Sequence, residues 1–373
     1  MYYIYKFISS IFSVFPVKKH KIFFLSYYGS QYGCNPKYLS EYIVNKNEGW
    51  DVVWGFVTPD KYLINGVRKV KYMSLRYFYE LCTSGVFVTN YRMTFDYHKR
   101  KGQVYIQTWH SSTRIKKIEG DVEGALSPNY VKMAKKDAKN IDVLLSGSQF
   151  STEIFKRAFW YTGTILPTGT PREDLMFRRD ESIFAKVYNE LGIDNEAQIV
   201  LYAPTFRQSN SLECYDLDYK ILQDALKKKF GGKWIVLLRL HPHLREYSKK
   251  LTKNYMGVVD ATQYDDIQEL LCASDVVISD YSSLIFDFAL TKRPCFIYAS
   301  DLKDYIDKER ELYFNIVDLP FPISRNNEEM VSILTNFDNQ LYCKRIESFL
   351  STLGSFEDGH ACERVYKYIK NIR

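Results

Sequence analysis

The chain has 373 residues, 46% of them apolar and 25% charged, with 51 basic against 44 acidic side chains for a formal net charge of +7. This profile excludes a disordered, collagenous or long coiled-coil chain, and at roughly 150 residues per domain the length implies two domains, or three. No apolar run reaches the ~18–20 residues of a membrane span, which excludes a polytopic membrane protein, and the charge is too diffuse for a nucleic-acid footprint; it suits modest attraction to phosphates or to an anionic membrane surface.

Residues 1–15 are almost wholly apolar and stop at Pro16. Plotted as a helix, Lys6, Ser9, Ser10 and Ser13 form one narrow polar stripe. Lys18, Lys19 and Lys21 follow as a basic flank. There is no Ala-x-Ala-like cleavage site. Two expectations stand: a helix lying in the headgroup region of a cytoplasmic leaflet, or a helix packed on the protein's own surface.

Short apolar runs then alternate with helical patterns. The expected strands of the first half are Lys21–Ser26, Asp51–Val57, Gly85–Thr89, Gln103–Thr108 and Asp142–Ser146. The expected helices are Pro36–Lys46, Ser74–Cys82, Asn129–Asn140 and Ser151–Phe159. A charged helical bridge, Asp180–Leu191, follows Thr168-Gly169-Thr170-Pro171. The pattern restarts with strands Gln198–Ala203, Trp234–Leu240, Met256–Asp260, Asp275–Ser279 and Cys295–Ala299. Helices Asp218–Phe230, Asp265–Ala273, Ser283–Leu290, Glu328–Asn336 and Glu357–Asn371 complete it. Continuously apolar strands joined by helices predict parallel sheets covered on both faces, hence two doubly wound α/β domains with a cleft between them. Ligands of such sheets bind beyond the carboxyl ends of the strands.

The seven cysteines lie at 34, 82, 214, 272, 295, 343 and 362, the closest pair 362 − 343 = 19 apart. That spacing offers no CxxC or zinc knuckle and reads as buried reduced thiols in a cytoplasmic protein.

Four strand ends carry chemistry. After Gln103–Thr108 come Trp109, His110, Ser111, Ser112, Thr113 and Arg114, then Lys116 and Lys117. This is an anion-handling loop with a possible base, because imidazole titrates near neutrality. After Trp234–Leu240 come His241 and His243, with Arg239 just inside. No carboxylate or cysteine completes a metal set there, so no metal site is expected. After Asp275–Ser279 come Asp280, Tyr281, Ser282 and Ser283, and Asp287 lies one turn into the next helix. Ser282 or Ser283 is expected to cap that helix, whose N–H groups suit phosphate, and Asp287 could accept from a ribose. Pro204, Thr205 and Arg207 follow the first strand of the second half, while Thr170 and Arg172 enter the bridge. Each set offers a hydroxyl and a guanidinium suited to pyrophosphate oxygens. Neither a P-loop nor a G-x-G-x-x-G occurs. Asp216-Leu217-Asp218 opens a helix and reads as capping charge. With cations around the cleft, side chains can neutralise a diphosphate, and no cofactor is required.

These strings occur in one order: Q-T-W-H at Gln107–His110 with K-K-I at Lys116–Ile118, S-T-E-I-F-K at Ser151–Lys156, T-G-x-P-R-x-D-L at Thr168–Leu175 and L-Y-A-P-T-F-R at Leu201–Arg207. They continue with R-L-H-P at Arg239–Pro242, S-D-Y-S-S-L-I-F-D-F-A at Ser279–Ala289, Y-F-N at Tyr313–Asn315 and E-D-G-x-A-x-E-R-V at Glu357–Val365. In this the chain resembles the CDP-glycerol glycerophosphotransferases, the teichoic-acid and capsule polymerase and primase family of bacteria, over about residues 20–370.

The resemblance implies a GT-B fold: two doubly wound parallel-sheet domains facing a cleft. It implies a membrane-proximal segment at 1–19, an acceptor-side domain at 20–170 and a linker at 171–194. A CDP-donor-binding domain at 195–355 and a C-terminal helix at 356–373 follow. CDP-glycerol is then the donor, and a lipid-linked or polymer acceptor at the cytoplasmic membrane face receives glycerol phosphate as CMP leaves. His110 is the candidate base. His241 would stabilise charge on the phosphates or leaving group. Arg239, Thr205 and Arg172 would hold the pyrophosphate, with Ser282, Ser283 and Asp287 near the nucleotide. The family usually reads W-H-G-T-P, and here Ser111 stands where the Gly falls. That substitution puts donor and acceptor identity in question. CDP-ribitol as donor, a nucleotide-sugar glycosyltransferase and a catalytically dead polymer-binding scaffold are the rival readings; retention of both His110 and His241 argues against the last.

Overall fold

The computed structural model describes residues 2–95, 99–207, 213–303, 305 and 311–372, the side chains of 2–4, 6, 242 and 254 apart. The chain divides into two compact units. Unit 1 holds residues 1–112, 118–174 and 354–373, and unit 2 holds 113–117 and 175–353.

Among the described residues unit 1 contains seven strands: β1 Lys18–Leu25, β2 Asp51–Phe56, β3 Arg68–Lys71, β4 Ser84–Thr89, β5 Val104–Gln107, β6 Val143–Leu145 and β7 Thr164–Leu166. Their order is β3-β2-β1-β4-β5-β6-β7, and every pairing is parallel. Strand alternation sorts neighbouring side chains to opposite faces. Phe23, Phe87 and Tyr105 join one core, whereas Ile22, Phe24, Trp54 and Val88 join the other. Both faces are therefore covered, as continuously apolar strands require. The helix Ala361–Asn371 returns to unit 1 and closes the second core with Val365, Tyr366 and Ile369.

Unit 2 contains β8 Ala197–Ala203, β9 Lys233–Leu238, β10 Val258–Asp260, β11 Val276–Ser279, β12 Cys295–Tyr298 and β13 Ile323–Ser324. Their order is β10-β9-β8-β11-β12-β13, again parallel throughout. The order in which strands are added reverses once in each sheet, between β1 and β4 in unit 1 and between β8 and β11 in unit 2. These are the switch points where doubly wound sheets open toward ligands.

All ten expected strands are present. Three short edge strands, β3, β7 and β13, were not expected. β3 reads as charged Arg68-Lys69-Val70-Lys71 and buries only Val70, so it carries no apolar run. The helices Arg245–Asn254 and Asn339–Thr352 also went unread, being polar over most of their length. Asp218 accepts from the Ile221 N–H at 2.9 Å, the capping role expected of it.

The N-terminal helix, Tyr2–Phe12, packs on unit 1. Tyr5 stacks on Phe78 at 5.6 Å, and Phe12 and Phe15 meet Tyr79 edge-on. Ser9, a member of the expected polar stripe, is buried against the helix Leu75–Thr83, where Cys82 Sγ reaches its carbonyl; of the two expectations, the helix packed on the protein's own surface is the one seen. The Lys6 side chain and Met1 lie outside the described residues. Among the described residues no helix is long and apolar enough to cross a membrane.

Lys21 is a second correction to the basic flank. Lys18 and Lys19 are exposed, but Lys21 is 0% exposed and pairs with Glu80 at 2.7 Å. Arg68 also reaches Glu80 at 2.7 Å and bridges to Asp51. Burial pulls the Lys21 ammonium below its ordinary pKa. Burial alone would raise Glu80, but the Arg68 and Lys21 hydrogen bonds outweigh it and hold the carboxyl down at about 2. Its stabilisation is present above the ordinary carboxylate range and is lost as pH falls toward 2. Glu80→Ala leaves a buried ammonium uncompensated and should cost about 3–5 kcal/mol, read as a lower urea midpoint at unchanged slope.

Candidate active site

In unit 1 the loop after β5 turns on Trp109, a non-glycine residue at φ +52°. Left-handed backbone at such a residue costs about 1–3 kcal/mol and is held by its surroundings. Here the Trp109 N–H donates to Gln107 Oε1 at 2.9 Å, and its carbonyl accepts from Asn35 Nδ2 at 3.0 Å. The next residue is His110. Its half-buried ring stacks on Tyr91 at 4.9 Å and lies 4.4 Å from the Trp109 ring. His110 Nδ1 lies 3.4 Å from the carbonyl of Asn90, the residue after β4.

The supports of this loop come from every strand end around the β1–β4 switch. Asn90 is fully buried and accepts the Tyr27 N–H at 3.0 Å through Oδ1. Tyr27, Tyr28 and Gly29 are all left-handed, at φ +46°, +55° and +81°. Gly29 is required there, because a Cβ would lie 3.1 Å from the Gly55 carbonyl and the Val57 nitrogen. Asn35 Oδ1 accepts the Arg172 N–H at 3.0 Å. The Arg172 guanidinium is buried against Glu173 at 3.0 Å and Cys34 Sγ at 3.8 Å. Ser111 and Ser112 are buried; the Ser112 carbonyl accepts from the Ser151 hydroxyl.

In unit 2 the loops after β8 and β11 are tied by one charged knot. Asp280 Oδ1 accepts from the Thr205 N–H at 2.8 Å and the Thr205 hydroxyl at 2.6 Å. Arg207 donates to Asp280 at 2.8 Å and to Asp301 at 2.6 Å. Tyr281 donates to Asp301 at 3.0 Å and stacks on Tyr305 at 3.6 Å. Burial alone would lower the Arg207 pKa, but Asp301 and Asp280 outweigh it and raise it. Arg207, read as a pyrophosphate cation, is 4% exposed and already faces two carboxylates. In this geometry it braces the switch point. Pro204 is buried in the same loop.

Arg239, half-buried after β9, donates to the Tyr264 carbonyl at 2.6 Å. His241 is exposed, 4.9 Å from the Phe206 ring and 4.8 Å from His243. Desolvation, then His243, lowers its pKa. Pro242's side chain lies outside the described residues. Ser282, one residue before the N-cap, accepts from the Leu284 N–H at 3.4 Å, and the helix lacks the side-chain cap expected there. Ser283 does not cap that helix; its hydroxyl accepts the Ile115 N–H at 3.2 Å. The segment holding Thr113 and Arg114 is thus built into unit 2, where the Ile115 carbonyl also accepts from Tyr313 at 2.7 Å. Asp287 is buried and accepts from Gln268 at 3.1 Å.

Of the expected site residues, unit 1 therefore holds His110, Ser111, Ser112 and Arg172. Unit 2 holds Thr113, Arg114, Pro204, Thr205, Arg207, Arg239, His241, Asp280, Ser282, Ser283 and Asp287.

The model of the CDP-glycerol:poly(glycerophosphate) glycerophosphotransferases matches residues 7–371. The chain belongs to that family. A teichoic acid poly(glycerol phosphate) polymerase of Bacillus spizizenii is 30% identical over 97% of this chain and 95% of its own length. The polymerase of the same description from Staphylococcus epidermidis is 32% identical over 94% of this chain, which spans 50% of that relative. The solved structure of the wall teichoic acid polymerase TagF is similar at a TM-score of 0.85 and 31% identity, covering 99% of this chain and 93% of that one. The two parallel sheets are thus those of a GT-B glycerophosphotransferase.

Within this family chain, several site residues went unread. Asn90 and Asp301 each lie just beyond an expected strand, so the strand-end rule that found His110 reaches them too. Asn35 has no such signal: it is a polar residue beside Pro36 whose role depends on a partner 74 residues away. Asn35→Ala should take the acceptor from the Arg172 N–H and leave the Trp109 carbonyl with the Thr108 hydroxyl alone, costing about 2 kcal/mol on thermal unfolding, with a larger fractional loss of turnover than of donor affinity.

Proposed function

We propose that the protein transfers glycerol phosphate from CDP-glycerol to a hydroxyl of a lipid-linked or polymer acceptor, releasing CMP, in teichoic-acid or capsular polymer synthesis. The observation that carries this reading is His110, held after β5 against Asn90 and Tyr91 of the loop after β4, in a chain of this family. In this reading His110 takes the proton of the acceptor hydroxyl. The hydroxyl oxygen bonds to the phosphorus next to glycerol, and the bond from that phosphorus to the bridging oxygen breaks, so CMP leaves with the electron pair. His241, its pKa lowered, serves as a hydrogen-bond donor to phosphate or leaving-group oxygen near pH 7. Arg239 and Thr205, with Ser282, Ser283 and Asp287, serve the donor; Arg172 serves through the unit 1 loops. Phosphoryl transfer of this kind depends mainly on positioning and charge stabilisation. No cofactor beyond the donor enters the scheme.

His110→Ala and His241→Ala should each reduce CMP release from CDP-glycerol by on the order of 10²-fold or more. Near-normal turnover of His110→Ala overturns the assignment of the base. A donor screen scored by the mass of the released nucleotide separates the chemistries. CDP-ribitol as the better substrate would make the protein a ribitol-phosphate transferase, and a released nucleoside diphosphate would make it a glycosyltransferase.

The proposed place of action is the cytoplasmic face of the membrane. Phe7 and Ile11 on the N-terminal helix and Val14 in the turn after it are 67%, 49% and 80% exposed, followed by exposed Lys18 and Lys19. Apolar residues beside cations suit an anionic leaflet. Because Tyr5 and Phe12 anchor this helix to unit 1, deleting it would also uncover Phe78 and Tyr79. The triple change Phe7→Ser, Ile11→Ser, Val14→Ser avoids that and should release the protein from anionic vesicles at unchanged melting temperature.

A further inference from the structure

The string Glu357–Val365 has no role in the scheme above, yet it enters the unit that holds His110. The backbone of 354–356 runs along the segment after β6: Gln149 N donates to the Gly354 carbonyl at 2.9 Å and Phe356 N to the Gly147 carbonyl at 2.8 Å. This delivers the half-buried Glu357 carboxylate between two loops. Thr170 donates to it twice, through its N–H at 3.0 Å and its hydroxyl at 2.9 Å. The Ser112 side chain is its other hydrogen-bond partner. Space is reserved for this arrangement. A Cβ on Gly147 would lie 2.0 Å from both Glu357 Oε1 and Ser112 Oγ, and one on Gly169 would lie 2.8 Å from Glu357 Oε2. Ser112 is two residues from His110 and is the last residue of that loop within unit 1.

We propose that Glu357 is a positioning residue for the transfer reaction: by holding Ser112 and Thr170 it fixes the loop Thr108–Ser112 and with it the His110 ring. The proposal rests on the glycerophosphotransferase reading. The charged groups around the carboxylate are Asp174, which caps the helix Ala361–Asn371 through Ala361 N and Cys362 N, and Arg364, which is paired with Asp358. Burial, reinforced by Asp174 and opposed by the Thr170 and Ser112 hydrogen bonds, pushes Glu357 up to about 7. Its anion, the form that accepts all three hydrogen bonds, is therefore lost as pH falls through neutrality.

The test compares wild type with Glu357→Gln, Glu357→Ala, Ser112→Ala and the Glu357→Ala/Ser112→Ala double variant. Displacing the base loop should lower kcat for CMP release by on the order of 10²-fold in Glu357→Ala, with KM for CDP-glycerol within about twofold. The double variant should fall no further than Glu357→Ala alone, as coupled partners do. The acid limb of kcat should be steeper than one proton in wild type and single-proton in Glu357→Gln. A decrease equal at every pH, or fully additive losses, overturns the proposal. Hydrogen exchange of the Thr108–Ser112 peptide is read on the same proteins without any substrate. Roughly tenfold faster exchange there, with β1 unchanged, is expected for Glu357→Ala; unchanged exchange overturns the proposal. If wild type releases no CMP, the function reading fails, and the exchange result still decides whether Glu357 holds the loop. Should Glu357→Ala not fold, Glu357→Gln and Gly147→Ala, which drives a methyl into the same oxygens, carry the comparison.

Discussion

Every strand of a parallel sheet ends in backbone groups that its neighbours no longer pair, and at a switch point those ends lie beside one another. Buried N–H and carbonyl groups must find partners, since an unmade bond costs far more than a made one gains. The protein meets this demand with side chains of residues distant in sequence. In unit 1 two asparagines do it. Asn90 takes the Tyr27 N–H, and Asn35 takes the Arg172 N–H while giving to Trp109. In unit 2 Asp280 takes the Thr205 N–H and hydroxyl. The geometry around His110 follows from that satisfaction: the carbonyl nearest Nδ1 belongs to one of these asparagines, and the carbonyl preceding His110 is held by the other.

The two units solve one topological problem with different chemistry. Unit 1 uses two neutral amides and three left-handed residues in a row, with the buried Arg172–Glu173 pair beside them, so directional hydrogen bonds from Asn35 and Asn90 set its loops. Unit 2 uses an ion pair of low exposure, Arg207 with Asp280 and Asp301, beneath a stacked tyrosine pair. A buried guanidinium between two carboxylates is costly to assemble and costlier to break. It is a brace, and a poor store of spare positive charge. Arg239, after β9, donates instead to the Ala261 and Tyr264 carbonyls.

The sheets were legible because the signal is local: four or five apolar residues followed by a turn define a buried parallel strand wherever it pairs. Edge strands such as Arg68–Lys71 lacked it because one face and one edge meet solvent. The same rule located His110 and Asp280 by position alone. It failed for residues whose meaning depends on a distant partner. Nothing near Lys21 announces Glu80, 59 residues away, so a buried ion pair read as a surface flank. Nothing near Ser9 announces the helix that covers it. Glu357 stood in a legible string, yet its site was not legible, because the carboxylate's partners arrive from Ser112 and Thr170.

The departure of this chain from the family's usual W-H-G-T-P takes a different weight in the structure. A glycine after the histidine suggests that the backbone there needs a left-handed conformation or a close approach. The left-handed residue of this loop is Trp109, and Ser111 is absent from the positive-φ positions. A serine is therefore compatible with the backbone at 111 without strain. Its side chain is enclosed at 8% exposure, one residue from His110 and one from Ser112, whose side chain bonds Glu357. The substitution adds a hydroxyl to the wall of the loop and leaves its path alone. The contacts of Asn35 with the Trp109 carbonyl and of His110 with the Asn90 carbonyl do not involve the Ser111 side chain.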